Sequence, residues 1–315
     1  MTADGTAGID LGGTKCLGVV VGPGGEIRAE EQVPTPAGTT ALVDELAALF
    51  GVLAGRAGPV AAAGVGAPGL VDRAGILRFA PNLAGVADVP LREALEERLG
   101  VPVAVDNDAT CAAWGERQRG AARSLDDVVM VTLGTGIGGG LVTGGRLHRG
   151  ANGFAGEVGH MIVDPSGPLC SCGQRGCWER LGSGSALARL GQEAARAGRL
   201  EGPLGVVGGD PARVRGEHVA AAARDGDPQA REVVGELAGW VALGMVNLAN
   251  VFDPEAIVVG GGLIEMGDVL LGPVRERFDG MLFAAEHRAP VQVLQAALGP
   301  RAGALGAADL ARGLL

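Results

Sequence analysis

The sequence predicts an α/β protein built from two similar halves, and three observations carry that reading. Short apolar strands alternate with helical patterns in the order βββαβαβα through the first half, and the rhythm starts again near residue 127. A strand–turn–strand unit rich in glycine and threonine opens each half, GIDLGGTK at 8–15 and VTLGTGIGGG at 131–140. The 57 glycines of the 315 residues follow no three-residue period and fall in turns between apolar runs, which excludes collagen. Internal duplication of this kind predicts two facing lobes with a cleft between them, the usual place for a small ligand. The expected boundary lies near residue 116. Residues 1–116 with 301–315 form a small N-terminal lobe, the last helix returning to it, and residues 117–300 form a large lobe carrying a cysteine-rich loop.

In chain order, AGIDLG, CLGVVVG and EIRAEEQVPT read as three strands joined by the turns GGT and PGG. A helical pattern follows at 38–55, then an apolar strand at 60–66, a short hairpin, a helix at 91–99 and the strand VPVAV at 101–105. A helix opens at Asp106-Asn107-Asp108. The second half offers a strand, a glycine-rich turn and another strand from 127, then the cysteine-rich loop region. Helices at 217–225 and 228–250, the strand AIVVGG at 256–261, a helix at 268–278, the strand VQVLQ at 291–295 and a helix at 302–312 complete it.

Apolar residues make up 47% and charged residues 20%, enough for a sizeable core and too apolar for a disordered chain. Tyrosine is absent and Lys15 is the single lysine. The net charge of −10 is opposite to what a nucleic-acid or anionic-membrane surface needs. The longest charge-free run, 128–145, holds seven glycines and could not persist as a spanning helix. The N-terminus lacks the basic region and apolar core of a signal peptide, so the expectation is a soluble, cytoplasmic protein with neither nucleic acid nor membrane as partner.

A phosphate must then be held locally. In Asp10-Leu11-Gly12-Gly13-Thr14-Lys15 a carboxylate ends a strand, and the glycine turn brings backbone N–H groups within reach of an anion. Thr14 adds a hydroxyl, Lys15 a charge, and Asp10 an oxygen ligand suited to Mg²⁺. Gly134, Thr135, Gly136 and Gly138 repeat the pattern in the second half, so two hairpins can clamp one polyphosphate. The bland alternative for either hairpin is an ordinary turn. Gly260, Gly261 and Gly262 end a strand where a nucleoside can lie on bare backbone, or where the chain simply turns into a helix.

His160, Cys170, Cys172 and Cys177 give three thiolates and an imidazole, a closed tetrahedral set suited to structural Zn²⁺. A closed shell argues against a zinc hydrolase. Ordering that loop brings Glu157 and Glu179, whose oxygens suit sugar hydroxyls, toward one spot. Cys16 and Cys111 read as inert core thiols, and His148, His218 and His287 as loop or surface positions. Asp106-Asn107-Asp108 can cap a helix. At a strand end facing a cleft, one aspartate can cap while the other, Asp108, accepts a proton from a hydroxyl attacking a γ-phosphate, with Asn107 bonding the substrate.

These motifs resemble the ROK (repressor/open-reading-frame/kinase) family of sugar kinases and repressors, above all its glucokinases of actinobacterial type. The likeness runs nearly end to end: GIDLGGTK at 8–15, GVGAPGLVD at 64–72, APN at 80–82, DNDA at 106–109, LGTGIGGG at 133–140, GEVGH at 156–160, CSCGQRGCWE at 170–179 and VFDPEAIVVGGG at 251–262. The resemblance implies a two-lobed, actin-like (ribonuclease H-like) ATPase fold and transfer of the ATP γ-phosphoryl group to the 6-hydroxyl of glucose. It implies Asp108 as catalytic base and Asn82, Asn107, Asp108, Glu157, His160 and Glu179 as hexose contacts, with His160 serving zinc through one ring nitrogen and facing the sugar with the other. Asp10, Gly12, Gly13, Thr14, Lys15, Gly134, Thr135, Gly136 and Gly138 then hold Mg-ATP phosphates, Gly260 to Gly262 the nucleoside, and a homodimer or homotetramer is expected.

Other acceptors stay open: mannose, fructose, N-acetylglucosamine or N-acetylmannosamine. The chain reads LAGVADVPL after Asn82, without the aromatic residue expected of close glucokinases. Polyphosphate is a lesser donor candidate. A sugar-responsive repressor of the same family would need a helix-turn-helix ahead of the sugar domain, and the first strand is expected by about residue 7.

Overall fold

The computed structural model describes residues 4–81, 83 and 85–315. Strands β1 (Gly5–Leu11), β2 (Lys15–Val21) and β3 (Ile27–Pro34) form an antiparallel meander, and helix α1 (Thr39–Ala57) follows. Leu42, Leu46, Leu49 and Leu53 recur at helical spacing on α1 and are buried. Strand β4 (Val60–Ala67) runs parallel to β1, with Gly8 opposite Gly64 and Asp10 opposite Gly66. Strands β5 (Leu70–Val71), β6 (Leu77–Phe79) and β7 (Ala87–Val89) make a separate small sheet. Helix α2 (Leu91–Leu99), strand β8 (Val103–Asn107, parallel to β4) and helix α3 (Asp108–Arg119) close this half.

The second half opens with β9 (Val128–Leu133), β10 (Ile137–Thr143) and β11 (Arg146–Leu147). Helices α4 (Glu179–Gly182), α5 (Gly184–Arg196), α6 (Gly202–Val206), α7 (Gly216–Arg224) and α8 (Pro228–Phe252) precede β12 (Ala256–Gly260), α9 (Asp268–Met281), β13 (Gln292–Gln295) and α10 (Ala302–Arg312). The two five-stranded sheets have the orders β3-β2-β1-β4-β8 and β11-β10-β9-β12-β13. Each is third-second-first-fourth-fifth in its own half, so the duplicated rhythm is a duplicated topology.

The chain divides into two compact units, Met1–Met130 with Gly140–Gly156 and Ala296–Leu315, and Val131–Gly139 with Glu157–Gln295. In the first, α10 lies directly on β1 and β4. A methyl group on Gly8 would come within 1.9 Å of the Ala304 carbonyl oxygen, and one on Gly64 within 1.9 Å of that of Ala307. The buried carboxylate of Glu116 accepts backbone N–H bonds from Ala121, Ala297 and Leu298 at 2.7, 3.1 and 2.8 Å, tying α3 to the segment that leads into α10. Arg117 also pairs with Asp126. The first segment of this unit runs to Met130, beyond the boundary expected near residue 116.

In the second unit α8 is a core helix. It is long and apolar enough to cross a bilayer, with 61% of its apolar window buried inside the protein. The indole N–H of Trp178, fully buried, donates to the Trp240 carbonyl of α8 at 2.7 Å. Helix α5 departs from the sequence reading, which expects no helix there. Ser183 caps it by accepting the Ala186 N–H, and Leu187, Leu190 and Ala194 form its buried stripe.

Candidate active site

The first hairpin follows from register. Leu11 pairs with Cys16, and Gly12 N–H donates to the Lys15 carbonyl at 2.9 Å, so the turn Gly13-Thr14 projects exposed from the sheet end together with Lys15. Thr35 at the end of β3 clamps the turn from below, its hydroxyl donating to the Gly12 carbonyl at 2.7 Å. Asp10, two residues before the turn, lies where α10 begins. A side chain at Gly303 would come within 2.7 Å of its carboxyl carbon. Burial and the Asp108 charge push the Asp10 carboxyl up to about 7, against a smaller opposing pull from Lys15. Asp10, raised in part by the Asp108 charge, marks an oxygen-rich spot that a divalent cation would relieve, the chemistry Mg²⁺ prefers.

The turn from β8 into α3 divides its three polar residues among three tasks. Asp106 is buried; its Oδ2 accepts from Arg149 Nε at 2.5 Å and its Oδ1 from the Asn107 N–H at 2.9 Å. Asn107 is the helix cap: its Oδ1 accepts from the Thr110 N–H at 3.0 Å while Nδ2 donates to the Gly69 carbonyl at 3.1 Å. The expected sharing of tasks, one aspartate capping and the other acting as base, is therefore corrected. The cap is the asparagine. Asp108 opens the helix, accepts the Ala109 N–H at 2.7 Å, and is close enough to Asp10 to raise that carboxyl.

The second hairpin closes more tightly. Gly134 N–H donates to the Gly136 carbonyl at 3.0 Å, Gly138 N–H to Thr132 Oγ1 at 3.1 Å, and Ile137 N–H to Glu179 Oε2 at 3.1 Å. Gly134 and Thr135 line a cavity of about 680 Å³ together with Gly184, Ser185, Arg215 and Gly262. The volume lies in the range of nucleotide-sized pockets. Gly261 adopts φ +84°, and a Cβ there would lie 2.5 Å from the Leu133 backbone, so only glycine lets the strand end fold against β9. Gly262, with no heavy atom near its Cβ position, opens onto the cavity. The sequence reading missed Gly184, Ser185 and Arg215; the Ser183 cap was the signal that a helix N-terminus starts there.

His160, Cys170, Cys172 and Cys177 converge, one ligand atom from each lying within 4.8 Å of every other. Cys172 and Cys177 Sγ are 3.5 Å apart, and Cys170 Sγ is 3.8 Å from His160 Nδ1. A tetrahedral Zn²⁺ with bonds of about 2.0–2.3 Å places its ligand atoms roughly 3.5–3.8 Å apart, so the donor set fits zinc in chemistry and spacing. His160 turns Nδ1 to the thiols and Nε2 toward Glu157, whose Oε2 is 4.0 Å away. Burial and the Glu179 charge raise the Glu157 carboxyl, partly offset by His160. Trp178, anchored in the core, sits between the ligand Cys177 and Glu179, so one short segment sets zinc ligand, core anchor and carboxylate together. Among the described residues His148, His218 and His287 join no such cluster; His218 Nδ1 accepts the Arg215 N–H at the start of α7. Cys16 and Cys111 are buried thiols raised by burial.

Of the residues singled out in the sequence, Asp10, Gly12, Gly13, Thr14, Lys15, Asn107 and Asp108 belong to the first unit. Gly134, Thr135, Gly136, Gly138, Glu157, His160, Cys170, Cys172, Cys177, Glu179, Gly260, Gly261 and Gly262 belong to the second. Asn82 lies outside the described residues.

A doubled third-second-first-fourth-fifth sheet with a Gly/Thr hairpin opening each copy is the actin-like, ribonuclease H-like ATPase fold. Within that class, the chain belongs to the ROK family, whose profile matches residues 6–313. It is similar to the glucokinase of Streptomyces coelicolor, 43% identical over 311 residues that cover 98% of this chain and 97% of that protein. It is also similar to the N-acetylmannosamine kinase of Escherichia coli, at 35% over 302 residues covering 93% and 97% of the two chains. Among solved structures, the ROK family glucokinase from Streptomyces griseus, in complex with glucose and AMPPNP, matches with a TM-score of 0.85. Its identity is 43%, with 98% of this chain and 99% of that chain covered.

Proposed function

We propose that this chain is an ATP-dependent glucokinase, transferring the γ-phosphoryl group to the 6-hydroxyl of glucose. The observation that carries the reading is the turn into α3: it sets Asp108 on the first turn of the helix, close enough to Asp10 to raise that carboxyl, while Asp106 pairs with Arg149 and Asn107 caps the helix. Asp108 accepts the 6-hydroxyl proton as that oxygen bonds to the γ-phosphorus and the bond from phosphorus to the β-phosphate oxygen breaks. Asn82, Asn107, Glu157, His160 and Glu179 hold the hexose hydroxyls. The cavity at Gly134, Thr135 and Gly262 takes the nucleotide, and the Gly12-Gly13-Thr14-Lys15 turn contributes amides and a charge to phosphate. Asp10 would hold Mg²⁺, which when bound neutralises charge on the triphosphate. His160, Cys170, Cys172 and Cys177 would hold a structural zinc, which when bound would fix the loop that carries Glu157 and Glu179 and supply no step of the transfer. The enzyme works in the cytoplasm as a homodimer or homotetramer.

A second reading, another hexose as acceptor, draws on the N-acetylmannosamine kinase relative and on the LAGVADVPL stretch, which has no aromatic residue after Asn82. A coupled phosphorylation assay over glucose, mannose, fructose, N-acetylglucosamine and N-acetylmannosamine, with ATP and with polyphosphate, decides between them. Glucose with ATP is expected to give the highest kcat/KM. A higher value with any other sugar replaces the first reading by the second, and no turnover with any pair removes both.

A further inference from the structure

We propose that the first unit carries a binding site for a small phosphomonoester in a cavity beside β8. The cavity measures about 380 Å³, and its charged lining is Arg73, Arg92 and Arg149 against Asp72 and Asp106. β8 is the outermost strand of its sheet among the described residues, and its Val103, Ala104, Val105 and Asp106 line the cavity.

Both aspartates are already committed. Asp72 is paired with Arg78 and accepts the N–H groups of Ala74 and Ile76, and these bonds hold its carboxyl below the usual range. Asp106 is paired with Arg149. Arg73 donates through Nε to the uncharged Gly150 carbonyl at 2.9 Å. Arg92 is a half-buried residue whose side chain has no hydrogen-bond or ion-pair partner among the described residues. Arg73 and Arg92 are therefore two cations of one cavity with no carboxylate of their own among the described residues, in a protein whose net charge is −10. A phosphomonoester carries about −1.5 to −2 at pH 7 and matches guanidinium groups in both charge and geometry.

The rest of the lining selects among anions. Val71, Leu147, Leu310 and Leu314 give the cavity an apolar side. Inorganic phosphate would leave that side wet, whereas a phosphate ester with a carbon body covers it. None of the residues given a role in the kinase reading lines this cavity except through Asp106, the neighbour of Asn107. The site stands or falls independently of that reading.

The test uses the zinc-loaded protein saturated with glucose and AMPPNP, so that the proposed hexose and nucleotide sites are filled. Glycerol 3-phosphate, glucose 6-phosphate, inorganic phosphate and glycerol are titrated by calorimetry. Expected is saturable one-to-one binding of at least one ester, at least about tenfold tighter than inorganic phosphate, and none of glycerol. Arg92→Gln and, separately, Arg73→Gln should each weaken that ester about tenfold or more while thermal midpoint and kinase turnover stay at the wild-type level. Failure of both esters to bind, equal affinity for inorganic phosphate, or an unchanged Kd in the folded Arg92→Gln protein would overturn the proposal.

Discussion

The two glycine hairpins occupy equivalent places in equivalent sheets, yet they are built differently. In the first, the position two residues before the leading glycine is Asp10, a carboxyl lifted to about 7 beside Asp108, and the turn ends in the chain's single lysine. In the second, that position is Thr132, whose hydroxyl is spent on the Gly138 N–H, and the turn carries no charge of its own. The first turn spans two residues between Gly12 and Lys15, and the second one residue between Gly134 and Gly136. One topology thus gives an ionisable hairpin and a neutral one. The fold repeats the position of the hairpin, and the side chain before the turn makes one copy ionisable and the other neutral.

The largest expected effect separates the hairpins by their supports. The second hairpin depends on Glu179 through the Ile137 N–H, and Glu179 follows the ligand Cys177 by two residues. Structural zinc contributes on the order of 10 kcal/mol of apparent binding energy. Stripping it with a chelator should lower the thermal midpoint by about 10 °C or more and abolish hydrogen-exchange protection at Ile137, while the Gly12 amide stays protected. Equal loss at both amides would mean the two hairpins share one support.

A smaller effect tests the charge difference itself. Asp10→Asn should lower kcat by about 100-fold or more, the scale of a lost electrostatic partner of a transferring phosphoryl group. Thr132→Val should cost less than about fivefold. Comparable losses, read in the same coupled assay, would mean that the ionisable hairpin has no special role.

The pH dependence is smaller again. A carboxyl raised in the folded state contributes stability that is complete below its unfolded value, near 4, and is lost as pH rises through about 7. Between pH 4 and 7 the midpoint of the nucleotide-free protein should therefore fall relative to Asp10→Asn, and Asp108→Asn should shrink that fall because its charge is one cause of the shift. A flat difference across the window would show that Asp10 is not buried against Asp108. The smallest effect belongs to Lys15→Met: Lys15 is exposed, and a rise in the KM for ATP of about three- to tenfold with kcat kept is expected.

Much of this was legible in the sequence because it rests on local pattern. Strands such as VAAAGVG and helices such as 268–278 announce themselves by periodicity, and the three cysteines sit within eight residues of one another. What was not legible rests on distance along the chain. Arg149 is 43 residues from Asp106, and nothing in either neighbourhood points to the other. Helix α5 was hidden by the Gly-Ser run that opens it, although Ser183 with Leu187 and Leu190 spelled out a capped amphipathic helix. β5, β6 and β7, at two or three residues each, are too short for any period to register. The choice of Asn107 as cap could not be read from Asp-Asn-Asp, since all three residues cap well and only the Arg149 and Gly69 contacts distinguish them.

The most direct measurement is the turnover of Asp108→Asn with glucose and ATP, alongside calorimetric glucose binding by the same protein. The account predicts kcat reduced about 1,000-fold, within the span of general-base effects, with glucose affinity within about threefold of wild type. A variant that binds glucose normally and turns over within about tenfold of wild type would contradict it.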